Sequence, residues 1–340
     1  MHKDNRILVW GAGAIGGTIG GHLACAGREI TFVDINKEHL ERIAAGQLHI
    51  DGPGIDFMTG GRTATPDAVA GAYDLIILAV KIQHTEQATR ALLPHLAADG
   101  CVVSCQNGLA SRTVAEIVGP ERTLAAAMFL PAEWIEPGHI TYAGRTSFYI
   151  GELDGRRTER LDRVAEVFRD FDPGVKASDD IFGNIWGKMA VGIAYGVSSL
   201  TNEPRAEFFS RPERLPLVNA IIREVLSIGA ADGYRAHDAS WFRASAFLAN
   251  DAEAMAQSIA AYVALIRNSP KAHSGYWRDM AVFKRPTELP AQFTPAVAIA
   301  DKHGIPVPLT KQFLTILADV ESGRREIGIP LIEELMAFAE

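Results

Sequence analysis

The sequence predicts two domains, an α/β domain built on a doubly wound parallel sheet over residues 1–177 and an all-α domain over residues 178–340. Three observations lead to this prediction. A glycine-rich turn directly follows the first apolar strand, and strand-like segments then alternate with helix-like segments as far as about residue 150. Beyond Ser178 the apolar residues recur with helical spacing, and prolines divide them into segments with little strand character. At 340 residues the chain is long enough for each domain to have its own core.

The first element is a short apolar strand, Arg6–Trp10, that runs into the turn Gly11-Ala12-Gly13-Ala14-Ile15-Gly16. In a G-x-G-x-x-G turn the first glycine allows a tight bend, and the second leaves the backbone amides open to a pyrophosphate. The third lets the helix approach the strand. The helix N-terminus then attracts the phosphate charge. The pattern predicts a Rossmann-type dinucleotide site, and the expected cofactor contacts are Gly11, Ala12, Gly13, Ala14, Ile15 and Gly16.

The segment after the turn predicts a helix from Thr18 to Ala26, stopped by Gly27, and a second strand that ends in Asp34. A carboxylate at this point accepts hydrogen bonds from both ribose hydroxyls of NAD and would repel the 2′-phosphate of NADP. We therefore expect NAD as the preferred cofactor, while Lys37 lies near enough in sequence to keep NADP compatible. A cap on the next helix is a second role for Asp34, and the two roles do not exclude each other.

Two later strands are predicted to deliver polar side chains to the carboxyl edge of the sheet, where ligands of such folds bind. The continuous apolar run Leu75–Val80 is typical of a strand buried on both faces, and it ends at Lys81. The next strand, Cys101–Cys105, ends at Gln106-Asn107-Gly108. Lys81 is predicted to bind at this edge, the alternative being a solvated strand end.

Other segments complete the predicted organisation of the first domain. A glycine-rich insert at residues 48–65 is expected to form a hairpin. Strands at residues 123–129, 139–143 and 147–150 are expected to extend the sheet beside the mouth of the active site.

Composition and charge exclude several classes of protein. The chain is 48% hydrophobic and 22% charged, which is ordinary for a globular protein, and its formal net charge of −8 argues against nucleic-acid binding. No apolar run approaches the ~20 residues needed to span a bilayer, and no signal-like segment precedes the first strand. No nucleic-acid or membrane partner is therefore expected.

The cysteines and histidines give no sign of a metal site. The three cysteines, Cys25, Cys101 and Cys105, lack zinc-ligand spacing and are expected to be small buried hydrophobes. Their low number predicts a reducing compartment, and we expect a cytoplasmic location. No metal site is expected, because His84, His139 and His273 lack ligand spacing to carboxylates or to one another.

The second domain is predicted to open with a capped helix, Asp179–Gly192, that carries Trp186 and Lys188. Here the chain resembles the ketopantoate reductase (2-dehydropantoate 2-reductase) family, whose members carry Trp-x-Lys at this point. The resemblance also rests on the glycine turn, Lys81, Gln106-Asn107-Gly108-Leu109, the motif Ala-Glu-Trp-Ile-Glu-Pro-Gly at residues 132–138, Arg285-Pro286-Thr287-Glu288 and His303-Gly304-Ile305-Pro306-Val307-Pro308. It implies a Rossmann domain followed by an all-α domain of the 6-phosphogluconate dehydrogenase C-terminal-like type.

The resemblance implies a catalytic role for two residues. Lys188 matches the family lysine, whose ammonium donates a proton to the substrate carbonyl as hydride reaches the carbon. A cation there stabilises the developing alkoxide. Glu288 matches an acidic residue in the family's cleft that contacts substrate or cofactor and keeps the lysine charged. The alternatives are a surface position for Lys188 and a helix-capping role for Glu288.

The resemblance also implies binding roles at further positions. Lys81, Asn107 and Ala132 match positions near the cofactor, and Asn107 also reaches the substrate. The expected substrate contacts are Asn107, Lys188, Gly192, Tyr195 and Ser274; among them Ser274 matches a family serine that binds the substrate carboxylate, whereas Gly192 departs from the family pattern.

Gly192 and Gly196 stand where the family places two asparagines, one helical turn apart, that hold polar groups of the substrate. Each glycine costs roughly 1 kcal/mol relative to alanine inside a helix, so a compensating reason is expected. Two explanations remain open. Either a neighbouring helix packs closely against the glycines, or the missing side chains make room for a bulkier substrate lined by Tyr195, Tyr276 and Trp277. In either case the expected substrate is a 2-oxo acid or the matching hydroxy acid.

The sequence thus predicts an NAD(P)-dependent oxidoreductase that transfers hydride between nicotinamide and a 2-oxo acid or hydroxy acid, with Lys188 as general acid. We expect its ammonium to sit over the nicotinamide ring held by the first domain. Two alternatives are kept, an NAD-dependent dehydrogenase of a bulkier hydroxy acid and an NAD(H)-sensing module with weak catalysis. The long apolar helices of the second domain predict a homodimer.

Overall fold

The computed structural model describes residues 6–144, 147–238, 241–267 and 271–339. Its chain divides into two compact units, residues 1–181 and residues 182–340. The described part of the first unit contains strands and helices, and that of the second contains helices without strands. The expected fold class, an α/β domain followed by an all-α domain, is therefore confirmed.

An eight-stranded, mostly parallel sheet forms the frame of the first unit. Its strands are β1 (Ile7–Trp10), β2 (Ile30–Val33), β5 (Arg62–Ala64), β6 (Tyr73–Leu78), β7 (Leu96–Ser104), β8 (Thr123–Met128), β11 (Phe148–Glu152) and β12 (Lys176–Ser178). They lie in the order β12-β11-β8-β7-β6-β1-β2-β5, and only β11 and β8 run antiparallel to each other. Trp10 at the end of β1 lies opposite Val33 and Leu78. The glycine turn, Asp34 and Lys81 therefore all follow strand ends at one edge of the sheet.

A second sheet of four strands lies apart from the first. It consists of β3 (Leu48–Gly52), β4 (Ile55–Thr59), β9 (Ala132–Glu136) and β10 (His139–Tyr142), in the order β4-β3-β10-β9. β3 and β4 form the expected hairpin. The prediction that residues 139–143 extend the main sheet is wrong, because β10 pairs in parallel with β3. Along β10 buried residues alternate with half-buried ones, which suits a sheet covered on one face only.

Helices cover both faces of the main sheet. The first unit contains α1 (Ala14–Cys25), α2 (Lys37–Ala44), α3 (Thr85–Leu92), α4 (Ala110–Val118) and α5 (Glu159–Arg169). Successive strand residues point to opposite faces, so Val9 and Ile77 belong to one core, whereas Leu8 and Ile76 belong to another. The first core includes residues of α1, α5 and the small sheet, and the second includes residues of α3 and α4.

Two local predictions for the first helix are corrected by the structure. α1 begins at Ala14, four residues before the predicted Thr18, so Gly16 and Gly17 lie inside the helix. Neighbouring backbone is so close to both that a β-carbon on either would collide with a carbonyl oxygen, which explains glycine at helical positions. Cys101 and Cys105 are buried as expected, but Cys25 is exposed because it is the last residue of α1.

The second unit is a stack of helices. These are α6 (Ile181–Ser198), which begins at the last residue of the first unit, α7 (Arg205–Ser210), α8 (Leu215–Ala231), α9 (Ala244–Ala249), α10 (Ala252–Ile266), the short α11 (Gly275–Trp277), α12 (Leu289–His303), α13 (Pro308–Glu321) and α14 (Ile329–Ala339). A π-helical turn, Arg278–Val282, follows α11. Among the described residues, none of the helices has the length and apolar character that crossing a membrane requires.

Candidate active site

The glycine turn leaves a helix N-terminus open to a ligand. Gly13 is the N-cap of α1, where no side chain caps the first turn and no acidic residue occupies it. A β-carbon built on Gly13 would meet no atom within 4 Å. The amides of the first turn thus have no capping side chain, and the space beside Gly13 can admit a phosphate. These residues fit the pyrophosphate of a dinucleotide.

The other two glycines of the turn are required by close packing. Gly11 has a φ of +96°, and a β-carbon there would lie 2.8 Å from the backbone nitrogen of Val80. A β-carbon on Gly16 would collide with the carbonyl oxygen of Gly11 and lie 2.9 Å from Cγ1 of Val9. Gly11 and Gly16 therefore shape the turn, whereas Gly13 keeps its outer side free.

Asp34 is fixed by two backbone amides at the end of β2. Its Oδ2 accepts a hydrogen bond from the nitrogen of Ala12 at 2.9 Å, and its Oδ1 accepts one from the nitrogen of Asn36 at 3.0 Å. The N-cap of α2 is Asn36, which accepts a hydrogen bond from the nitrogen of His39, so Asp34 does not have the capping role. A carboxylate with two donors retains lone pairs for ribose hydroxyls.

Lys37, the residue that kept NADP compatible, lies close to another carboxylate. A hydrogen bond from Thr65 and, to a smaller extent, the positive charge of Lys37 lower the pKa of Asp67. Lys37 therefore lies near enough to Asp67 to act on its carboxylate.

His39 is a buried residue of α2 that contacts the glycine turn, a role that sequence reasoning missed. Its Nδ1 accepts a hydrogen bond from the nitrogen of Gly138 at 2.8 Å, so its Nε2 donates to the carbonyl oxygen of Ala12, also at 2.8 Å. The imidazole thereby joins α2, the glycine turn and the turn between β9 and β10. No local pattern signals this role, because Gly138 lies 99 residues away in sequence.

Lys81 and Asn107 follow the ends of the neighbouring strands β6 and β7, and both are half-buried. Gln106 holds these two strand ends together, since its Nε2 donates to the carbonyl oxygen of Val80 at 3.0 Å and to Oγ1 of Thr85 at 2.8 Å. Gln106 is thus a positioning residue for the loop that carries Lys81.

Ala132 is the first residue of β9, where it is half-buried and pairs with Tyr142 across the small sheet. Its nitrogen donates to the carbonyl oxygen of Leu130 at 2.9 Å. Ala14 and Ile15 are also half-buried, in the first turn of α1.

One stripe of α6 is less buried than the rest of the helix. Asn184, Lys188, Gly192 and Tyr195 are half-buried, and every other residue of α6 is buried. Their spacing of four, four and three residues puts them on a single helix face. Lys188 is therefore half-buried on the one accessible stripe of an otherwise buried helix.

The residues just before Lys188 fix the rotation of α6. Trp186 is fully buried, and its Nε1 donates to Oδ2 of Asp232 at 3.1 Å. A β-carbon on Gly187 would lie 2.9 Å from the carbonyl oxygen of His237. In the Trp-Gly-Lys sequence, Trp186 thus anchors the helix through Asp232, Gly187 allows the backbone at His237 to approach closely, and Lys188 lies on the accessible stripe.

The two glycines that replace asparagines differ in their surroundings. A β-carbon on Gly196 would lie 2.8 Å from Cζ of Phe313 and 3.0 Å from Leu289, so helix packing explains this glycine. A β-carbon on Gly192 would have Phe293 as its nearest neighbour, at 4.0 Å. Packing does not require Gly192, and the space beside it is open.

Tyr195 follows Gly192 on the accessible stripe of α6, and Tyr276 lies close to Tyr195; both are neutral phenols. Removal from water raises the pKa of Tyr195 well above its ordinary value, and the neighbouring Tyr262 adds to the rise. Removal from water and the negative charge of Glu288 raise the pKa of Tyr276. Both side chains can therefore act as walls or hydrogen-bond donors but not as bases. Trp277 stacks on His273, with ring centroids 3.9 Å apart.

Ser274 is buried, and its hydroxyl already donates a hydrogen bond within the protein. Ser199 donates to the carbonyl oxygen of Tyr195 at 2.7 Å, so Ser274 donates to Oγ of Ser199 at 2.5 Å. Oγ of Ser274 also accepts a hydrogen bond from the nitrogen of Trp277 and caps α11. A substrate carboxylate would have to displace Ser199 to receive the Ser274 proton.

Glu288 occupies the N-cap position of α12, but its side chain makes no capping hydrogen bond. Thr287 accepts the hydrogen bond from the nitrogen of Leu289 instead, at 3.2 Å. The capping role is therefore excluded for the Glu288 carboxylate, which lies near Tyr276.

Family comparisons agree with the two-domain fold. The model described as "Ketopantoate reductase PanE/ApbA" matches residues 7–155, and its C-terminal counterpart matches residues 180–321. The chain is thus a two-domain NAD(P)-dependent oxidoreductase that acts on CH–OH or C=O groups. It belongs to the ketopantoate reductase family, as the sequence motifs predicted.

Individual relatives cover most of the chain at low identity. A 2-dehydropantoate 2-reductase of Archaeoglobus fulgidus is 27% identical over 94% of this chain and 99% of its own length. A family ketopantoate reductase structure from Ralstonia eutropha JMP134 has a TM-score of 0.78 at 24% identity, covering 94% of this chain and 99% of its own. A ternary structure of D-mandelate dehydrogenase with NADH and anilino(oxo)acetate has a TM-score of 0.81 at 19% identity, with the same coverage.

Proposed function

We propose that this protein interconverts a 2-oxo acid and its hydroxy acid, with Lys188 as the proton donor in reduction and the acceptor in oxidation. The observation that carries the proposal is the accessible stripe of α6, which presents Lys188 next to the open position Gly192. NAD(P)H, when bound at the glycine turn, supplies the hydride.

The residues of the chain have separate tasks in this proposal. Trp186 and Gly187 fix the rotation of α6 about its axis. The ammonium of Lys188 is therefore oriented toward the carbonyl oxygen before the reaction begins. The positive charge stabilises the alkoxide as it forms. The Glu288 carboxylate, which does not cap α12, is proposed to contact the substrate or cofactor and to favour the charged form of the lysine.

Arg205 is proposed as an anchor for the substrate carboxylate. Its Nη1 donates to the hydroxyl of Tyr262 at 3.1 Å and its Nη2 to the carbonyl oxygen of Lys271 at 2.6 Å. Its Nε is buried and has no hydrogen-bond partner among the residues that the structure describes. The guanidinium lies 5.7 Å from the ring centroid of Tyr195, on the accessible stripe of α6. A substrate carboxylate beside Tyr195 would add a charged partner to this guanidinium.

A panel of oxo acids tests the proposed activity. Ketopantoate, small aliphatic 2-oxo acids and aryl 2-oxo acids are offered with NADH and with NADPH, and oxidation of the cofactor is followed by absorbance. Turnover of any 2-oxo acid supports the proposal. Tight NAD(H) binding with no turnover of any oxo acid or hydroxy acid favours the sensing module instead.

A bulkier hydroxy acid is the second candidate substrate, and it is favoured by the open space at Gly192. Tyr195, three residues after Gly192 on the accessible stripe, and the neighbouring Tyr276 supply neutral aromatic surface. A structural neighbour, D-mandelate dehydrogenase, was solved with NADH and anilino(oxo)acetate. Faster turnover of aryl than of aliphatic oxo acids would support this candidate.

The preference between NADH and NADPH follows from Asp34. We expect NADH to bind at least about tenfold more tightly, a difference of about 1.4 kcal/mol, because the carboxylate held by Ala12 and Asn36 repels a 2′-phosphate. Fluorescence titration with each reduced cofactor measures both dissociation constants. Asp34→Asn removes the negative charge and should bring the dissociation constants of NADH and NADPH closer together. Tighter binding of NADPH by the unaltered protein would reject the assignment.

The glycine pair predicts opposite results for the same substitution. Gly192→Asn should leave the apparent Tm close to that of the parent and should raise any activity on ketopantoate, because the side chain enters open space. Gly196→Asn should lower stability by about 1–3 kcal/mol, because its β-carbon overlaps Phe313 and Leu289. Thermal melting and ketopantoate assays of both variants give the comparison. A large loss of stability in Gly192→Asn would contradict the open space.

A further inference from the structure

We infer that the outer face of the small sheet holds a divalent transition-metal ion, ligated by His49, His139 and the carboxylate of Asp51. Ligand atoms of these three residues lie within 4.8 Å of one another. The site lies in the first unit and is independent of the proposed function. No local sequence pattern predicts this site, because Asp51 and His139 are 88 residues apart.

The register of the sheet brings the three residues together. β10 runs parallel to β3 with His139 opposite His49 and Thr141 opposite Asp51. Side chains of directly paired residues share one face of a sheet, and residues two apart on a strand also share it. The imidazoles of His49 and His139 consequently stack, with ring centroids 4.8 Å apart and an interplanar angle of 15°.

Carboxylates already lie beside both imidazoles. Nε2 of His139 is 3.0 Å from Oδ2 of Asp51, and Nε2 of His49 is 2.9 Å from Oδ1 of Asp56. Tetrahedral zinc with bonds of about 2.0–2.1 Å places its ligand atoms about 3.3 Å apart, so small rotations of these side chains suffice. Asp56 is mostly exposed and lies opposite Asp51 on β4, next to His49.

A neighbouring hydroxyl orients the central carboxylate. Oγ1 of Thr141 donates to Oδ1 of Asp51 at 2.7 Å, while the other oxygen, Oδ2, faces His139. Such a hydrogen bond to a ligating carboxylate is the usual support around a metal. All three ligands are half-buried, with side-chain exposures of 34% for His49, 34% for Asp51 and 26% for His139, so an ion can enter from solvent.

The ligand types indicate the class of metal. Two neutral imidazoles and a carboxylate suit zinc, nickel, copper or iron, whereas calcium and magnesium prefer oxygen ligands alone. Opposite this face, β3 and β10 pack against α1, where Ile140 lies beside Gly17 and Ile50 beside Gly21. An ion would therefore hold together β3 and β10, the two strands that pack against α1, the helix that follows the glycine turn.

Binding of cobalt and zinc by the full chain tests the inference. Protein freed of metal with a chelator is titrated with Co²⁺, and visible absorption typical of nitrogen and oxygen ligation at low coordination number should appear with one equivalent. Zn²⁺ should abolish that absorption by competition and should raise the apparent Tm, because a ligand that binds only the folded state stabilises it.

Variants locate the ion on the small sheet. His139→Gln and Asp51→Asn should lose the absorption and the rise in Tm, and Thr141→Val should weaken Co²⁺ binding by about tenfold or more. His84→Gln, an exposed histidine of the same unit, is the control and should bind as the parent does. Melting curves in chelator confirm that each variant folds. Failure of the parent to bind Co²⁺ or Zn²⁺, or equal binding by His139→Gln, would overturn the inference.

Discussion

Lys188→Ala should lower kcat by roughly 10²–10⁴ and leave the affinity for the reduced cofactor nearly unchanged, because general acid catalysis contributes about that factor. The proton then comes from water, and no cation stabilises the alkoxide as it forms. The folded protein should tolerate the change, since Lys188 is half-buried on the accessible stripe of α6 and is not part of its packed face. Steady-state kinetics on a 2-oxo acid identified by the panel, together with cofactor titration, measure both quantities.

Lys302→Ala is the matched control for Lys188. Lys302 lies in the same unit, near the end of α12, and is exposed. Its removal should change neither kcat nor cofactor affinity. Near-normal turnover by Lys188→Ala would remove this lysine from the proposed mechanism, whereas a loss of cofactor affinity equal to the loss of kcat would assign it a binding role.

The second large effect is expected at the glycine turn, where the same substitution should have two different results. Gly13→Val should raise the dissociation constant of NADH by about tenfold or more, because its side chain enters the space proposed for the pyrophosphate. The protein should remain folded, since that space is free of protein atoms and Gly13 has an extended backbone that valine can adopt. Replacement of a glycine N-cap costs about 1 kcal/mol at most.

Gly16→Val should instead destabilise the first unit. Its β-carbon would overlap the carbonyl oxygen of Gly11 and crowd Val9, and neither can move without disturbing β1 or the turn. Thermal melting in the absence of cofactor separates the two variants, and titration of whichever remains folded completes the test. A Gly13→Val variant that binds NADH as tightly as the parent would show that the pyrophosphate does not approach this backbone.

The parts of the fold that depend on local pattern could be predicted from the sequence. The strand Ile7–Trp10, the glycine turn and the placement of Asp34 after β2 follow from short-range periodicity and from the backbone freedom of glycine. The helical character of the second unit followed from the same kind of pattern. These features depend on residues only a few positions apart, so the pattern within a single segment is enough to predict them.

The start of α1 shows where local rules failed. The prediction placed the helix start at Thr18, after the glycine turn, whereas α1 begins at Ala14 and includes Gly16 and Gly17, residues of low helix propensity. Close packing overrides that propensity, because each glycine allows a backbone approach that a side chain would prevent. Propensity is a weak prior when tertiary contacts are this close.

The sequence by itself determined that the chain is a dinucleotide-binding oxidoreductase with a lysine-bearing helix at the opening of its second unit. Tertiary structure alone decided that β10 pairs with β3, that Gly196 is a packing residue while Gly192 is not, and that His139 stands opposite His49. The physical reason is that strand partners and helix contacts depend on the total packing of distant segments. The hydrophobic periodicity of a single segment does not predict which distant segments it will contact.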